Sequence, residues 1–126
     1  MSNPGVRVRN VAVTVLVVED EVLVRTVAIA HLQDCGFSVL EASSGEAARI
    51  LVRKTPAIAV VFSDIQMPGG IDGLDLARWL VNECPSVKIL LTSGRTVPEG
   101  ETAWRFLAKP YTMRQLEEKV GALLGG

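Results

Sequence analysis

Five short apolar runs, separated by helical patterns or by one polar interval, constrain the fold more than any other feature of this chain. They are residues 13–18 (VTVLVV), 37–41 (FSVLE), 57–62 (AIAVVF), 87–91 (VKILL) and 104–108 (WRFLA). Each has strand length and is bounded by turn-forming or charged residues, so each predicts a β-strand. The first, third and fourth are almost continuously apolar, as parallel strands covered on both faces should be. The second alternates more, which suits an edge.

The intervals read as helices. Val24, Ala28, His31 and Cys35 recur at helical spacing, and Gly36 follows as a left-handed stop. Ser44 is placed to cap a helix running through Ala47, Ala48 and Leu51 to Lys54, with Pro56 blocking its continuation. Asp72 or Gly73 opens a third helix carrying Leu74, Leu76, Ala77, Leu80 and Val81 and ending at Pro85; Thr112 caps a last one carrying Leu116, Val120 and Leu123. Strand and helix in alternation predict an α/β fold, a doubly wound five-stranded parallel sheet with right-handed crossovers and helices on both faces. The interval between Leu91 and Trp104 (TSGRTVPEGETA) lacks apolar periodicity, so the fourth helix should be short or missing.

Residues 1–12 carry little periodicity and read as a flexible lead-in, leaving 13–124 as the folded domain. A chain of 126 residues buries roughly two-thirds of the surface its unfolded form exposes, enough for one core without disulfides or a structural metal. Thirteen Lys and Arg against fourteen Asp and Glu leave no positive excess for a nucleic-acid backbone, so no nucleic-acid partner is expected. Cys35 and Cys84 have neither the density of a secreted scaffold nor zinc-site spacing, and read as reduced core thiols. With no signal-peptide pattern and no apolar run near the ~20 residues that span a bilayer, a cytoplasmic location without membrane contact is expected.

Ligands of open α/β sheets bind outside the carboxyl ends of strands, where strand order reverses. The first run ends in Glu19, Asp20 and Glu21, the third in Ser63 and Asp64, the fourth in Thr92 and Ser93, the fifth in Lys109 and Pro110. If the first and third strands are neighbours, Asp20 and Asp64 share one crevice. Carboxylates so close must either raise a pKa or bind a cation, and hard oxygen donors suit Mg²⁺ with phosphate oxygens. A Lys and a hydroxyl at the rim complete a constellation for phosphoryl transfer, with Asp64 as the attacking carboxylate.

The stretches VLVVEDE (15–21), FSDIQMPGGIDGLDLA (62–77), ILLTSG (89–94) and FLAKPY (106–111) together resemble the receiver domain of bacterial two-component response regulators, over about residues 13 to 124. The resemblance implies a flavodoxin-like strand order, 2-1-3-4-5. It implies Asp64 as phosphoacceptor; Glu19, Asp20, Asp64 and the backbone carbonyl of Gln66 as ligands of Mg²⁺, with Mn²⁺ as a substitute; Thr92 as switch hydroxyl; Phe106 as switch aromatic; Lys109 as phosphate ligand; and a cis bond before Pro110. Such a protein takes phosphate from a histidine kinase or phosphotransfer protein and passes the signal to a downstream protein target. It is no enzyme beyond its own phosphorylation and dephosphorylation, and is expected as a monomer or weak homodimer, stand-alone or within a hybrid kinase.

This chain departs from the common pattern in Glu19, where a second Asp is frequent, in the doubled Gly of MPGGIDG, and in the short 93–103 interval, which weakens the usual output surface. His31 lies on an apolar stripe and reads as structural; Trp79 and Trp104 read as packing residues. Val22 and Leu23, near Tyr111 in this fold, are expected to help dock the histidine phosphodonor. A binding module that ignores phosphorylation would be expected to lack the acceptor, acid pair or lysine, all of which are present. An aspartate-nucleophile phosphatase needs a second Asp where Gln66 stands.

Overall fold

The computed structural model describes residues 7–8, 11–95 and 103–125. Two-residue strands β1 (Arg7–Val8) and β2 (Val11–Ala12) pair antiparallel ahead of the main body. There follow β3 (Thr14–Val18), α1 (Val22–Asp34), β4 (Ser38–Ala42), α2 (Gly45–Lys54), β5 (Ile58–Asp64), α3 (Gly73–Glu83), β6 (Lys88–Ser93), β7 (Arg105–Ala108) and α4 (Met113–Gly125). The last five strands of this order, β3 to β7, form one parallel sheet in the order β4-β3-β5-β6-β7. Counted within that sheet the order is 2-1-3-4-5, and the alternating strand β4 lies at an edge, as its pattern requires.

Period-two alternation divides the strand side chains between two cores. Leu16, Val18, Val61, Ile89 and Leu91 pack with Ala48 and Val52 of α2 and Leu76, Ala77 and Leu80 of α3. Val15, Val17, Val60, Phe62, Leu90 and Leu107 face the other way, onto Ala28 and Leu32 of α1 and Leu116 and Val120 of α4. Coverage of both faces is why β3, β5 and β6 are apolar at nearly every position. The described residues contain four helices; residues 96–102, where the shortened interval falls, lie outside the described set, and its flanks Gly94–Arg95 and Ala103–Trp104 are not helical.

The caps sit where side-chain chemistry places them. The Ala47 N–H donates to Ser44 Oγ at 3.1 Å. Asp72 and Asp75 exchange a full capping box, and Thr112 and Gln115 exchange reciprocal bonds of 2.8 and 3.1 Å. Gly36 takes φ 100°, the left-handed turn that releases α1 into β4. Both cysteines are free, as expected, and half-buried: Cys35 and Cys84, the C-cap residues of α1 and α3, pack against the margins of the two cores. Removing the α3 cap with Asp72→Ala should cost about 1 kcal/mol, lowering the melting temperature by about 4 °C, readable by thermal circular dichroism.

Candidate functional site

Parallel pairing brings the carboxyl ends of β3, β5, β6 and β7 to one edge of the sheet. Asp64 is in register with Thr92, and Ser93 with Ala108, the residue before Lys109. The polar strand ends are part of the ladder, with the Ile65 N–H bonded to the Thr92 carbonyl at 2.9 Å and the Lys109 N–H to the Ser93 carbonyl at 3.0 Å. Asp64 therefore projects from backbone held in the sheet ladder.

Asp64 and Glu19 are both 5% exposed, and Asp20 is partly exposed. One carboxylate oxygen from each lies within 4.8 Å of the others. Lys109 Nζ donates to Asp64 Oδ2 at 2.6 Å and stands 3.9 Å from Glu19 Oε1. The Gln66 N–H holds Asp64 Oδ1 at 3.1 Å, and the Glu21 N–H holds Glu19 Oε2 at 3.0 Å. Three carboxylates thus face a single lysine. All nearby donors to a cation are oxygens, the set that suits a hard divalent ion such as Mg²⁺.

The charge imbalance shows in Glu19. Burial first, then the Asp64 charge, push its carboxyl up from 4.5 to about 7, against the opposing pull of the Glu21 amide and Lys109. Lys109 is itself raised: burial would lower it, but the hydrogen bond and charge of Asp64, with Glu19 and Glu21, prevail. Burial and the same two carboxylates push Tyr111 up to about 12, so its hydroxyl stays a neutral donor.

These shifts set two pH dependences. Between 4.5 and about 7 the folded chain retains a proton on Glu19 that the unfolded chain has lost, so this group's contribution to metal-free stability falls as pH rises through that window and is flat on either side. A cation held by Glu19 would expel the same proton, so Mg²⁺ affinity should weaken by up to about tenfold per pH unit below 7. Calorimetric Mg²⁺ titrations at about pH 6 and about pH 8 check this; equal affinities would contradict it.

Thr92 Oγ1 donates to the Leu107 carbonyl at 2.6 Å, tying the end of β6 to the residue after Phe106. Phe106 is half-buried against the core on the α2–α3 face. The Lys109–Pro110 bond is cis. On the opposite face Tyr111 meets Phe62 edge-on, with ring centroids 5.8 Å apart. A groove of ≈ 700 Å³ beside Lys109 is lined by Leu23, Val24, Val27, Pro110 and Tyr111 among others. Leu23 is 80% exposed; Val22, at 61%, is exposed without lining the groove.

Two residues of this edge have no role predicted from sequence, although Ser93 is placed at a strand end. Arg25 Nη1 donates to the Glu19 carbonyl at 2.7 Å while its Nε donates to Glu41 Oε1 at 2.7 Å, so it pins the backbone under the acidic pair. An isolated Arg in an otherwise apolar first turn was the available signal. Ser93 Oγ donates to Gln66 Oε1 at 2.6 Å and accepts from the Arg95 N–H at 2.9 Å, joining two loops of the site. Of the remaining residues, His31 pairs with Glu117, and Trp79 lies about 5 Å from the guanidinium groups of Arg49 and Arg53. Trp104 is buried, in a packing role.

Comparison with known proteins adds to this geometry. The family model described as the response regulator receiver domain matches residues 15–121. Sensor kinase CckA of Brucella abortus is 37% identical over 119 residues, covering 88% of this chain and 12% of that protein. The probable transcriptional regulator ycf27 of Porphyra purpurea is 31% identical, covering 87% of this chain and 46% of its own length. The chain thus spans less than half of either relative. Among solved structures, the receiver domain of the hybrid histidine kinase CckA superposes with a TM-score of 0.78 at 37% identity, covering 88% of this chain and 98% of that one. A receiver protein of Sinorhizobium medicae gives 0.84 at 33%, covering 91% and 96%. TrrA of Thermotoga maritima, solved in complex with Mg²⁺-BeF, gives 0.79 at 29%, covering 87% and 97%.

Proposed function

The chain belongs to the response regulator receiver family, and we propose that Asp64 is its phosphoacceptor, taking the phosphoryl group of a histidine kinase or histidine phosphotransfer protein. The observation that carries this reading is the Asp64 carboxylate, buried, oriented by the Gln66 amide, and held against Lys109 Nζ at 2.6 Å beside two further acids.

A carboxylate is ionised at neutral pH and needs no base. A carboxylate oxygen of Asp64 forms the bond to phosphorus as the phosphorus–nitrogen bond of the donor histidine breaks, the imidazole keeping the electron pair. Lys109 neutralises charge on the transferring oxygens. Glu19, Asp20, Asp64 and the Gln66 carbonyl are the residues that would hold Mg²⁺, whose contribution is further positive charge for the phosphoryl oxygens. Attack of water on the resulting acyl phosphate returns Asp64, so the chain catalyses only its own modification.

The switch is a shift between two populated states. A phosphoryl group on Asp64 offers Thr92 Oγ1 an anionic acceptor, stronger than the Leu107 carbonyl it now engages. Leaving that carbonyl frees the β7 backbone beside Phe106, which can then repack and alter a partner surface. Val22, Leu23 and Tyr111 are assigned to docking of the phosphodonor, since Leu23 and Tyr111 line the groove that reaches Lys109. The free cysteines fit a cytoplasmic setting; no helix among the described residues is long and apolar enough to cross a membrane.

The test is intact mass after incubation with a small-molecule phosphodonor. The wild-type chain should gain the mass of one phosphoryl group in Mg²⁺ and none after chelation. Absence of the adduct in Mg²⁺ overturns the proposal.

A further inference from the structure

Apart from the acidic edge, one other cluster of metal-ligating side chains occurs among the described residues, and it joins two helices. His31 and Cys35 stand one turn apart at the end of α1, and Glu117 reaches them from α4. His31 Nε2 and Glu117 Oε1 are 3.0 Å apart, and the nitrogen, sulfur and oxygen of the three groups all lie within 4.8 Å of one another. His31 is 29% exposed and Glu117 52%, so the cluster is open to solvent on one side.

We propose that His31, Cys35 and Glu117 form a binding site for a borderline-soft divalent transition metal, of which Zn²⁺ is the natural occupant, clipping α1 to α4. The donor set selects the metal. One imidazole, one thiolate and one carboxylate match zinc and discriminate against Mg²⁺, which takes oxygen donors and keeps its water. Bond lengths of ~2.0–2.3 Å place the ligand atoms of a tetrahedral zinc site roughly 3.4–3.6 Å apart. The His31–Glu117 separation of 3.0 Å and the bound of 4.8 Å on the other two bracket that range. Three protein ligands and an open side leave the fourth position to water. On binding, the Cys35 thiol loses its proton to solvent and the hydrogen bond between His31 and Glu117 is replaced by two coordinate bonds.

The site is separate from the acidic edge. His31 lies one turn along α1 from Val27, and Glu117 one turn along α4 from Met113, both of which line the groove, so an occupied clip would fix the α1–α4 packing at the foot of the groove, about 12 Å down the helix axis from Leu23. The two sites should therefore load independently, Mg²⁺ at one and Zn²⁺ at the other.

The experiment is Zn²⁺ titration of the full chain under saturating Mg²⁺, with Co²⁺ as a spectroscopic probe. One Zn²⁺ per chain is expected, with a thiolate-to-cobalt charge-transfer band that Cys35→Ser abolishes. Cys35→Ser and His31→Gln should each weaken Zn²⁺ binding by about tenfold or more, the loss that follows even from removing a supporting group. Asp64→Asn should leave both the band and the affinity unchanged. Zinc binding lost in Asp64→Asn and kept in Cys35→Ser overturns the proposal, as does full affinity in His31→Gln or the absence of stoichiometric binding. Glu117→Gln, at an exposed position, provides the weakening test should either α1 variant fail to fold.

Discussion

Asp64→Asn is expected to abolish phosphoryl uptake from a small-molecule donor while leaving the fold intact. The amide oxygen can still accept the Gln66 N–H that holds Asp64 Oδ1 at 3.1 Å, so the loop after β5 keeps its anchor. It carries no anionic lone pair to attack phosphorus, so the loss should be complete rather than partial. The substitution also removes one of the charges that raise Glu19, and it leaves Lys109 Nζ with Glu19, 3.9 Å away, and Glu21 as anionic neighbours. The Glu19 titration midpoint should therefore fall from about 7 toward the ordinary carboxylate range. Carboxyl-carbon NMR across a pH series reads that shift. A Glu19 midpoint unmoved by the substitution would show that burial alone sets it.

The second large effect concerns stability. Gly73 opens α3 directly behind Asp64, and a Cβ there would overlap the Asp64 carbonyl oxygen and lie 2.7 Å from Ile65 Cα. Both obstacles are backbone, in a segment held by the Gly73 N–H on the Ile65 carbonyl at 2.9 Å, so no side chain can swing aside to make room. Gly73→Ala should cost about 3 kcal/mol, the upper part of the usual overpacking range, lowering the melting temperature by about 10 °C. Because the displaced backbone carries Asp64, phosphoryl uptake should slow even at temperatures where the variant remains folded. Thermal denaturation and adduct formation measured on the same sample check both parts; a melting temperature within a degree or two of wild type would mean that α3 can shift at little cost.

The sheet was readable from sequence because its three central strands are apolar on both faces, a pattern that only two-sided coverage explains. Helix boundaries were readable where a cap announces them, at Ser44, Asp72 and Thr112. The strand ends were less so: hydropathy stops at Phe62 and Leu91, whereas β5 and β6 run on to Asp64 and Ser93 because ladder bonds continue through polar residues that face the site. Of the site, the residues with distinctive chemistry at strand ends, Glu19, Asp20, Asp64, Thr92 and Lys109, come together at one edge. Their relative positions follow from strand adjacency alone. The roles of Arg25 and Ser93 were not legible, since they depend on hydrogen bonds to a backbone carbonyl and to a side chain on another loop. The cluster of His31, Cys35 and Glu117 escaped for a similar reason: two members share a helix, but the third is 86 positions from His31, and only the packing of α1 against α4 brings it close.

Burial serves the site in two opposed ways. It holds Asp64 and Glu19 in fixed positions, and it makes their charges costly to each other. On the proposed reading a bound cation would relieve that tension, and the phosphoryl group, itself anionic, would draw on the same cation and on Lys109, so that acid pair, acceptor and lysine would act as a unit. The acyl phosphate on Asp64 is the claim on which that account rests. Borohydride reduction of the chain after incubation with a phosphodonor in Mg²⁺, followed by peptide sequencing, locates it directly, because reduction converts an aspartyl phosphate to homoserine. The account predicts homoserine at position 64 and nowhere else; aspartate recovered intact at 64, or homoserine at another aspartate position, would contradict it.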